Sequence, residues 1–294
     1  MPPNDASPDA RARAMTGTVV ASASRVVTVG PDQPFCIVGE RINPSGKPWL
    51  AAALRYGNMC VVEAEARRQV EAGAAMLDVN AGAPAPCSGK SEAALLAAAV
   101  VAVERAVDVP LVIDSARVDA LQAALRVARG RPLVNSVCGA ESQLDALLPV
   151  VRRHDVPVIA LCHDGTGISP DPEVRFAIAR AIVRRALDYG IAASDVVVDP
   201  LAMPDGVAGS AGGAIFPLIR RLRSELGVNT ICGASNVSFG LPHRARINAR
   251  FLARAIAGGL TAAILNPVSA PEMAAIRRSA PLQRRAFPLD AETG

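Results

Sequence analysis

Aromatic residues make up only 3 % of this 294-residue chain, and Trp49 is its one tryptophan. A sugar site or a base-stacking surface needs more rings than that, and the arginines are spread over many segments rather than clustered. Glycosidase chemistry and a nucleic-acid partner are therefore not expected. Lysine occurs only as Lys47 and Lys90. Neither falls on a predicted strand, so the strand-end amine of a Schiff-base aldolase is lacking. The six cysteines form no CxxC pair, and the three histidines repeat no zinc-ligand spacing. The thiols read as small buried hydrophobes, and no metal site is expected. No run approaches the ~18 apolar residues of a membrane helix, and the N-terminus carries Asp and Pro rather than a signal-peptide core. A cytoplasmic protein with no membrane partner is the expectation.

What is present is an apolar fraction of 51 %, enough for a large core of Ala, Val, Leu and Ile. Residues 1–24, rich in Pro, Ala, Asp and Arg without periodicity, are expected to form a disordered tail ahead of one domain over 25–294. Arg25–Val29 followed by Gly30–Gln33 reads as a short strand and turn, part of a hairpin suited to plugging one end of a barrel. From there a single unit repeats: a short β-rich run, a polar tip, then an Ala/Leu/Arg helix. The runs are Phe35–Glu40, Met76–Ala81, Pro110–Ser115, Pro132–Val137, Pro157–Cys162, Val196–Pro200, Asn229–Ser235 and Thr261–Pro267. The helices are expected near 58–73, 91–107, 117–129, 141–154, 172–190, 213–227, 242–258 and 271–279. Ser91 before Glu92 suits a helix start, and Gly73, Gly190, Gly227 and Gly258 sit where stops belong. Eight strand–helix alternations with continuous apolar strands predict a (β/α)₈ TIM barrel. An open doubly wound sheet would carry GxGxxG after its first strand, where this chain has Gly39-Glu-Arg-Ile-Asn-Pro-Ser-Gly46.

In such barrels the C-terminal strand ends build the site. Those ends supply Glu40, Arg41 and Asn43; Asp78 and Asn80; Asp114 and Ser115; Asn135 and Ser136; His163 and Asp164; Asp199; Ser235 and Asn236; and Asn266. Each alone fits a helix cap or loop hydrogen bond equally well. As a set, carboxylates and amides suit a flat heterocycle rich in N–H donors, such as a pterin. Gly206–Gly213, after the sixth strand, suits a phosphate loop or a flexible lid alike.

Gly39-Glu-Arg-Ile-Asn43, Leu77-Asp-Val-Asn-Ala-Gly82, Ile113-Asp-Ser115, Val134-Asn-Ser136, Val198-Asp-Pro-Leu201 and Ser235-Asn-Val-Ser238 follow one another at the correct strand positions, continued by Arg244 to Asn248 and Phe251. The set resembles the pterin-binding methyltransferases that move a methyl group between methyltetrahydrofolate and a corrinoid protein. The folate domain of cobalamin-dependent methionine synthase and dihydropteroate synthase are more distant relatives. The resemblance implies that Asp114, Asn135 and Asp199 hold the pterin with Asp78 and Asn80 beside them. It also implies that Asn236 hydrogen-bonds N5, that Ser235 and Arg244 join the pterin-binding set with Arg244 shaping the cobalt-facing rim, and that the chain pairs as a homodimer. Tetrahydrofolate or 5-methyltetrahydrofolate is then the substrate. Cobalamin arrives on a separate corrinoid protein, since this chain lacks a DxHxxG segment. The strand-five loop matches the family only through Thr166-Gly-Ile168, so His163 and Asp164 are not carried over. Two alternatives are a dihydropteroate synthase, which should show an Asn-Val-Thr-Pro-Asp-Ser-Phe-like segment after strand one, and a non-catalytic folate-binding subunit.

Overall fold

A computed structural model describes residues 17–82, 91–204 and 213–286. It opens with an antiparallel hairpin, β1 (Thr18–Ala21) and β2 (Val26–Val29), in register Thr18 with Val29. Eight parallel strands follow: β3 (Cys36–Ile42), β4 (Met76–Asn80), β5 (Leu111–Asp114), β6 (Leu133–Cys138), β7 (Val158–Leu161), β8 (Val196–Asp199), β9 (Asn229–Gly233) and β10 (Ala262–Leu265). They close into a barrel in sequence order, β10 pairing with β3. The helices that cover it are α1 (Pro48–Arg55), α2 (Met59–Glu71), α3 (Glu92–Ala106), α4 (Val118–Val127), α5 (Glu141–His154), α6 (Pro172–Asp188), α7 (Ile215–Leu226), α8 (Arg244–Ala257) and α9 (Ala270–Ala286). The predicted TIM barrel and its hairpin are thus present, with every expected strand within a few residues of its place.

Strand parity sorts the core. Val38, Met76, Val112, Leu133, Ile159, Val197, Ile231 and Ala262, one from each barrel strand, cluster in the interior with Val20 and Val29 of the hairpin. Their neighbours of opposite parity, among them Leu77, Ile113, Val134 and Val198, pack outward against the helices. Successive strand residues point to opposite faces, so the two sets cannot mix. The hairpin seals the N-terminal end: Thr18 Oγ1 donates to the Ser194 carbonyl (2.5 Å), Asn229 Nδ2 donates to Thr18 Oγ1 (3.0 Å), and Ala21 and Arg131 exchange backbone hydrogen bonds.

Two details depart from the sequence expectation. Strand β1 lies inside the segment 1–24 expected to be a tail; four residues of alternating burial are too short to show periodicity, and Val20 is buried only by docking on the barrel. Helix α1 was not expected; Pro48 at its first turn starts it without using a backbone N–H. Gly258 caps the end of α8 as expected, and Gly259 (φ 101°) follows it in the left-handed region. The stop at Gly227 and the Ser91 cap on Ala94 are as expected.

Candidate active site at the barrel mouth

Interior parity continues to the strand tips and there changes character. Val38 is followed two residues on by Glu40, Met76 by Asp78 and Asn80, Val112 by Asp114, Leu133 by Asn135, and Val197 by Asp199. The same alternation that fills the barrel with Val and Leu therefore aims these carboxylates and amides into its C-terminal mouth.

They interlock. Asn80 pairs with Asp114, and Asp114 with Asn135, along the parallel ladder. Asn80 Nδ2 donates to Asp114 Oδ2 (2.9 Å), and Asn135 Nδ2 donates to Asp78 Oδ1 (3.1 Å). Asp199, two strands beyond Asn135 and so about 10 Å round the wall, accepts from the Leu201 N–H (2.7 Å). The Gly233 N–H and the Cys232 thiol also face its carboxylate. After Gly233 the chain leaves the sheet in a 3₁₀ turn, Ala234–Ser238, with Asn236 exposed. The Asn236 amide lies over Gly233, whose absent Cβ would sit 2.9 Å from Asn236 Nδ2. The turn is pinned from both sides. Ser235 Oγ donates to Glu40 Oε1 (2.8 Å), while Arg244 donates to the Ser235 carbonyl (2.9 Å) and to Ser238 Oγ (3.1 Å).

Electrostatics follow from burial. Asp78 is 3 % exposed, and desolvation pushes its carboxyl well above the usual range, with the neighbouring Asp114 pushing the same way. Burial lifts Asp114 and Asp199 each to about 6, and raises Glu40 as well. Ionised, these groups are strong acceptors gathered at one mouth, which a ligand rich in N–H groups would complement.

The remaining tip residues divide. Asn43 accepts from the Ser45 N–H, Asn266 from the Val268 N–H, and Asp164 from Thr166, all ordinary loop bonds. Ser115 caps Arg117 and donates to Glu92. Arg41 pairs with Glu65 of α2, and its N–H donates to Gln69. His163 Nδ1 lies 3.0 Å from the Asp164 carbonyl, and the ring is close enough to Asp199 to favour its ionised form. The cis peptide joining Asn135 to Ser136 falls in the middle of β6, where the register with β7 shifts between Asn135 and Val137.

Sequence reasoning passed over Lys47. It is on no strand, yet its ammonium donates to the Asn43 carbonyl (3.2 Å) and faces Glu40, Glu65 and Asp78; burial lowers its pKa. The mouth therefore holds a lysine, delivered by a loop, and the signal was its place four residues after Asn43. Glu272 was also unmarked: buried under α8, it accepts from Asn248 (3.1 Å) and titrates at about 7 because of that burial. Among the described residues no cluster of three or more His, Cys, Asp or Glu is arranged to hold a metal, and no helix is long and apolar enough to cross a membrane. Cys36, Cys138, Cys162 and Cys232 are buried and Cys60 is exposed; Cys87, Lys90 and most of Gly206–Gly213 lie outside the described residues.

The chain is similar to a methylcorrinoid:tetrahydrofolate methyltransferase of Eubacterium limosum, 29 % identical over 82 % of this chain and 88 % of that protein. It is 27 % identical to methionine synthase of Mycobacterium tuberculosis over 84 % of this chain, but spans only 22 % of that longer protein. In fold it resembles a dihydropteroate synthase of Xanthomonas albilineans solved with indole-2-carboxylic acid and 6-chloroguanine, with a TM-score of 0.67 at 21 % identity, covering 91 % of this chain and 99 % of that one. Residues 39–266 match the model of one family from the middle of β3 to just past β10, and the chain belongs to that family, the pterin binding enzymes.

Proposed function

We propose that this protein transfers a methyl group between N5 of tetrahydrofolate and the cobalt of a corrinoid carried by a separate protein. The observation that carries this reading is the mouth itself: interlocked inward carboxylates and amides, with the exposed Asn236 amide fixed above Gly233 at their edge. The similarity to a methylcorrinoid:tetrahydrofolate methyltransferase supports it.

In this reading Asp114 and Asp199 accept from the N–H and NH₂ groups of the pterin. Asn80 and Asn135 complete the ring's hydrogen bonds while keeping Asp114 and Asp78 oriented. Ser235 and Arg244 hold the turn that presents Asn236. The corrinoid supplies a nucleophilic cobalt, so this chain needs no nucleophile of its own. In the direction away from folate, the N5–methyl bond breaks, its electron pair stays on N5, a proton is taken up there, and the methyl carbon bonds to cobalt. In the other direction N5 loses that proton as it gains the methyl group. The Asn236 amide can donate to a bare N5 and accept from a protonated one, so a single side chain serves both forms. Losing such a transition-state hydrogen bond costs roughly 2–4 kcal/mol.

The test mixes a methylcorrinoid protein with tetrahydrofolate and follows loss of the methyl–cobalt absorption band. The wild type should discharge the band, and Asn236→Ala should do so about a hundredfold more slowly while still binding folate. Equal rates in the two would remove Asn236 from the chemistry. The fold of dihydropteroate synthase gives a second reading, which predicts pteroate formation from a pteridine pyrophosphate and p-aminobenzoate. The β3 loop, Gly39-Glu-Arg-Ile-Asn43, lacks the Asn-Val-Thr-Pro-Asp-Ser-Phe-like segment that activity calls for. A preparation that makes pteroate and leaves the methyl–cobalt band intact would replace our reading with that one.

A further inference from the structure

Arg175 is the fourth residue of α6 and is 2 % exposed. A buried guanidinium is normally matched by a carboxylate. Here its acceptors are three backbone carbonyls from two mouth loops. Nη1 donates to Pro200 (3.0 Å) and to Leu201 (3.2 Å), and Nη2 donates to Pro170 (3.2 Å). The first two belong to the segment that leaves β8 directly after Asp199.

That segment has an unusual backbone. Leu201 sits at φ 63°, in the left-handed region that a side chain with a Cβ disfavours. Such a residue persists only where its surroundings fix it. Its N–H is taken by the Asp199 carboxylate (2.7 Å) and its carbonyl by Arg175. The next amide, that of Ala202, is bound by the Cys232 sulphur. The Asp199 carboxylate is thus oriented by a peptide whose far side is fastened to α6. Turning Leu201 back to an ordinary conformation would withdraw the N–H from Asp199 and release its rotamer.

We infer that Arg175 is a positioning residue for the ligand at the mouth: by fastening Pro200 and Leu201 it fixes the Asp199 carboxylate in the orientation that receives the pterin N–H donors. This rests on the function proposed above. The effect of Arg175 runs through Asp199, so its loss is bounded by the loss of Asp199 itself. Lysine, a point charge with no planar fork, serves fewer of the three carbonyls and should act as a partial replacement.

The experiment is calorimetric titration of tetrahydrofolate into the full chain and its variants, with circular dichroism to check folding. Arg175→Met should weaken binding roughly 10- to 50-fold, and Arg175→Lys about 3- to 10-fold. In an Asp199→Asn background Arg175→Met should add less than about twofold, as expected when two residues act through one contact. Leu201→Gly, which accepts the left-handed backbone freely, should recover at least about half of what Arg175→Lys loses, on a logarithmic scale. Binding by Arg175→Met equal to wild type overturns the inference, as does an undiminished loss in the Asp199→Asn background. Should Arg175→Met fail to fold, the Arg175→Lys variants decide: wild-type affinity in Arg175→Lys, or no recovery from Leu201→Gly, overturns it. A wild type that does not bind tetrahydrofolate overturns the proposed function and this inference together, whereas variants that bind as the wild type does overturn this inference alone.

Discussion

Replacing Asp199 by Asn should stabilise the ligand-free protein while crippling it. Burial lifts this carboxyl from an ordinary 3.8 to about 6, and the Leu201 and Gly233 N–H groups and the Cys232 thiol offset the burial only in part. The native state therefore holds its proton more tightly than the unfolded chain does. Stability from this group is greatest below about pH 4, falls as pH rises towards 6, and is level above that. At 1.36 kcal/mol per tenfold change in proton affinity, the loss is about 3 kcal/mol. Asparagine keeps the size and the carbonyl that accepts from Leu201 but carries no charge to desolvate. The stability difference, Asn variant minus wild type, should then grow by about 2–3 kcal/mol between pH 4 and pH 7 and be flat above. Urea unfolding of both proteins across that range measures it, groups that do not interact with Asp199 cancelling in the difference. A flat or falling difference would refute the burial argument. The same variant loses an ionised acceptor, worth about 2–3 kcal/mol, so its tetrahydrofolate affinity should drop roughly 30- to 160-fold. Such opposed effects mark residues kept for function at the expense of stability.

Other sites give further outcomes. Gly233→Ala would place a methyl group 2.9 Å from Asn236 Nδ2. Single-turnover methyl transfer should slow about tenfold with the melting temperature little changed, and an unaltered rate would separate the pose of Asn236 from catalysis. Glu40→Ala frees Ser235 from one of its two anchors. Removing this half-buried, charge-assisted hydrogen bond, worth about 1–2 kcal/mol, should lower the transfer rate about tenfold and leave folate affinity within about twofold, measured by titration. Ile113→Ala empties a fully buried outward position of β5. It should cost about 2–5 kcal/mol of unfolding free energy while activity per folded molecule is unchanged.

The barrel was legible because its strands are continuous apolar runs and its helices carry ordinary punctuation at Ser91 and Gly227. Strand parity was not: continuous apolar runs do not say which alternate residues face the lumen, so Arg41, Ser115 and Ser136 stood beside Glu40, Asp114 and Asn135 until the closed barrel sorted them. What the residues did not disclose is which tips cooperate. Asn43, Asp164 and Asn266 belong to the same residue types as Asn80, Asp114 and Asn135, yet their side chains satisfy neighbouring loop amides. That distinction depends on ladder register, which a single chain does not carry. Lys47, Glu272 and Arg175 escaped for a related reason. Each lies on a loop or helix, and its role is set by carbonyls and carboxylates distant in sequence, as when Arg175 meets Pro200. Likewise β1 shows its purpose only against Ser194 and Asn229.

That last arrangement bears on how the molecule assembles. Thr18 and Val20 leave the ribosome early, but the groups that receive Thr18 are made some 176 and 211 positions later. The hairpin can pair with Arg131 before then, but its seat is complete only once β9 has been synthesised and has joined the sheet. Its full docking is a late check on ring closure: a barrel missing its last strands offers only part of the floor for the plug. Trimming the chain back to Phe35 would leave Met76, Leu133, Val197 and Ile231 roofless at that end, and such a protein should tend to aggregate even with every ligand-facing side chain intact.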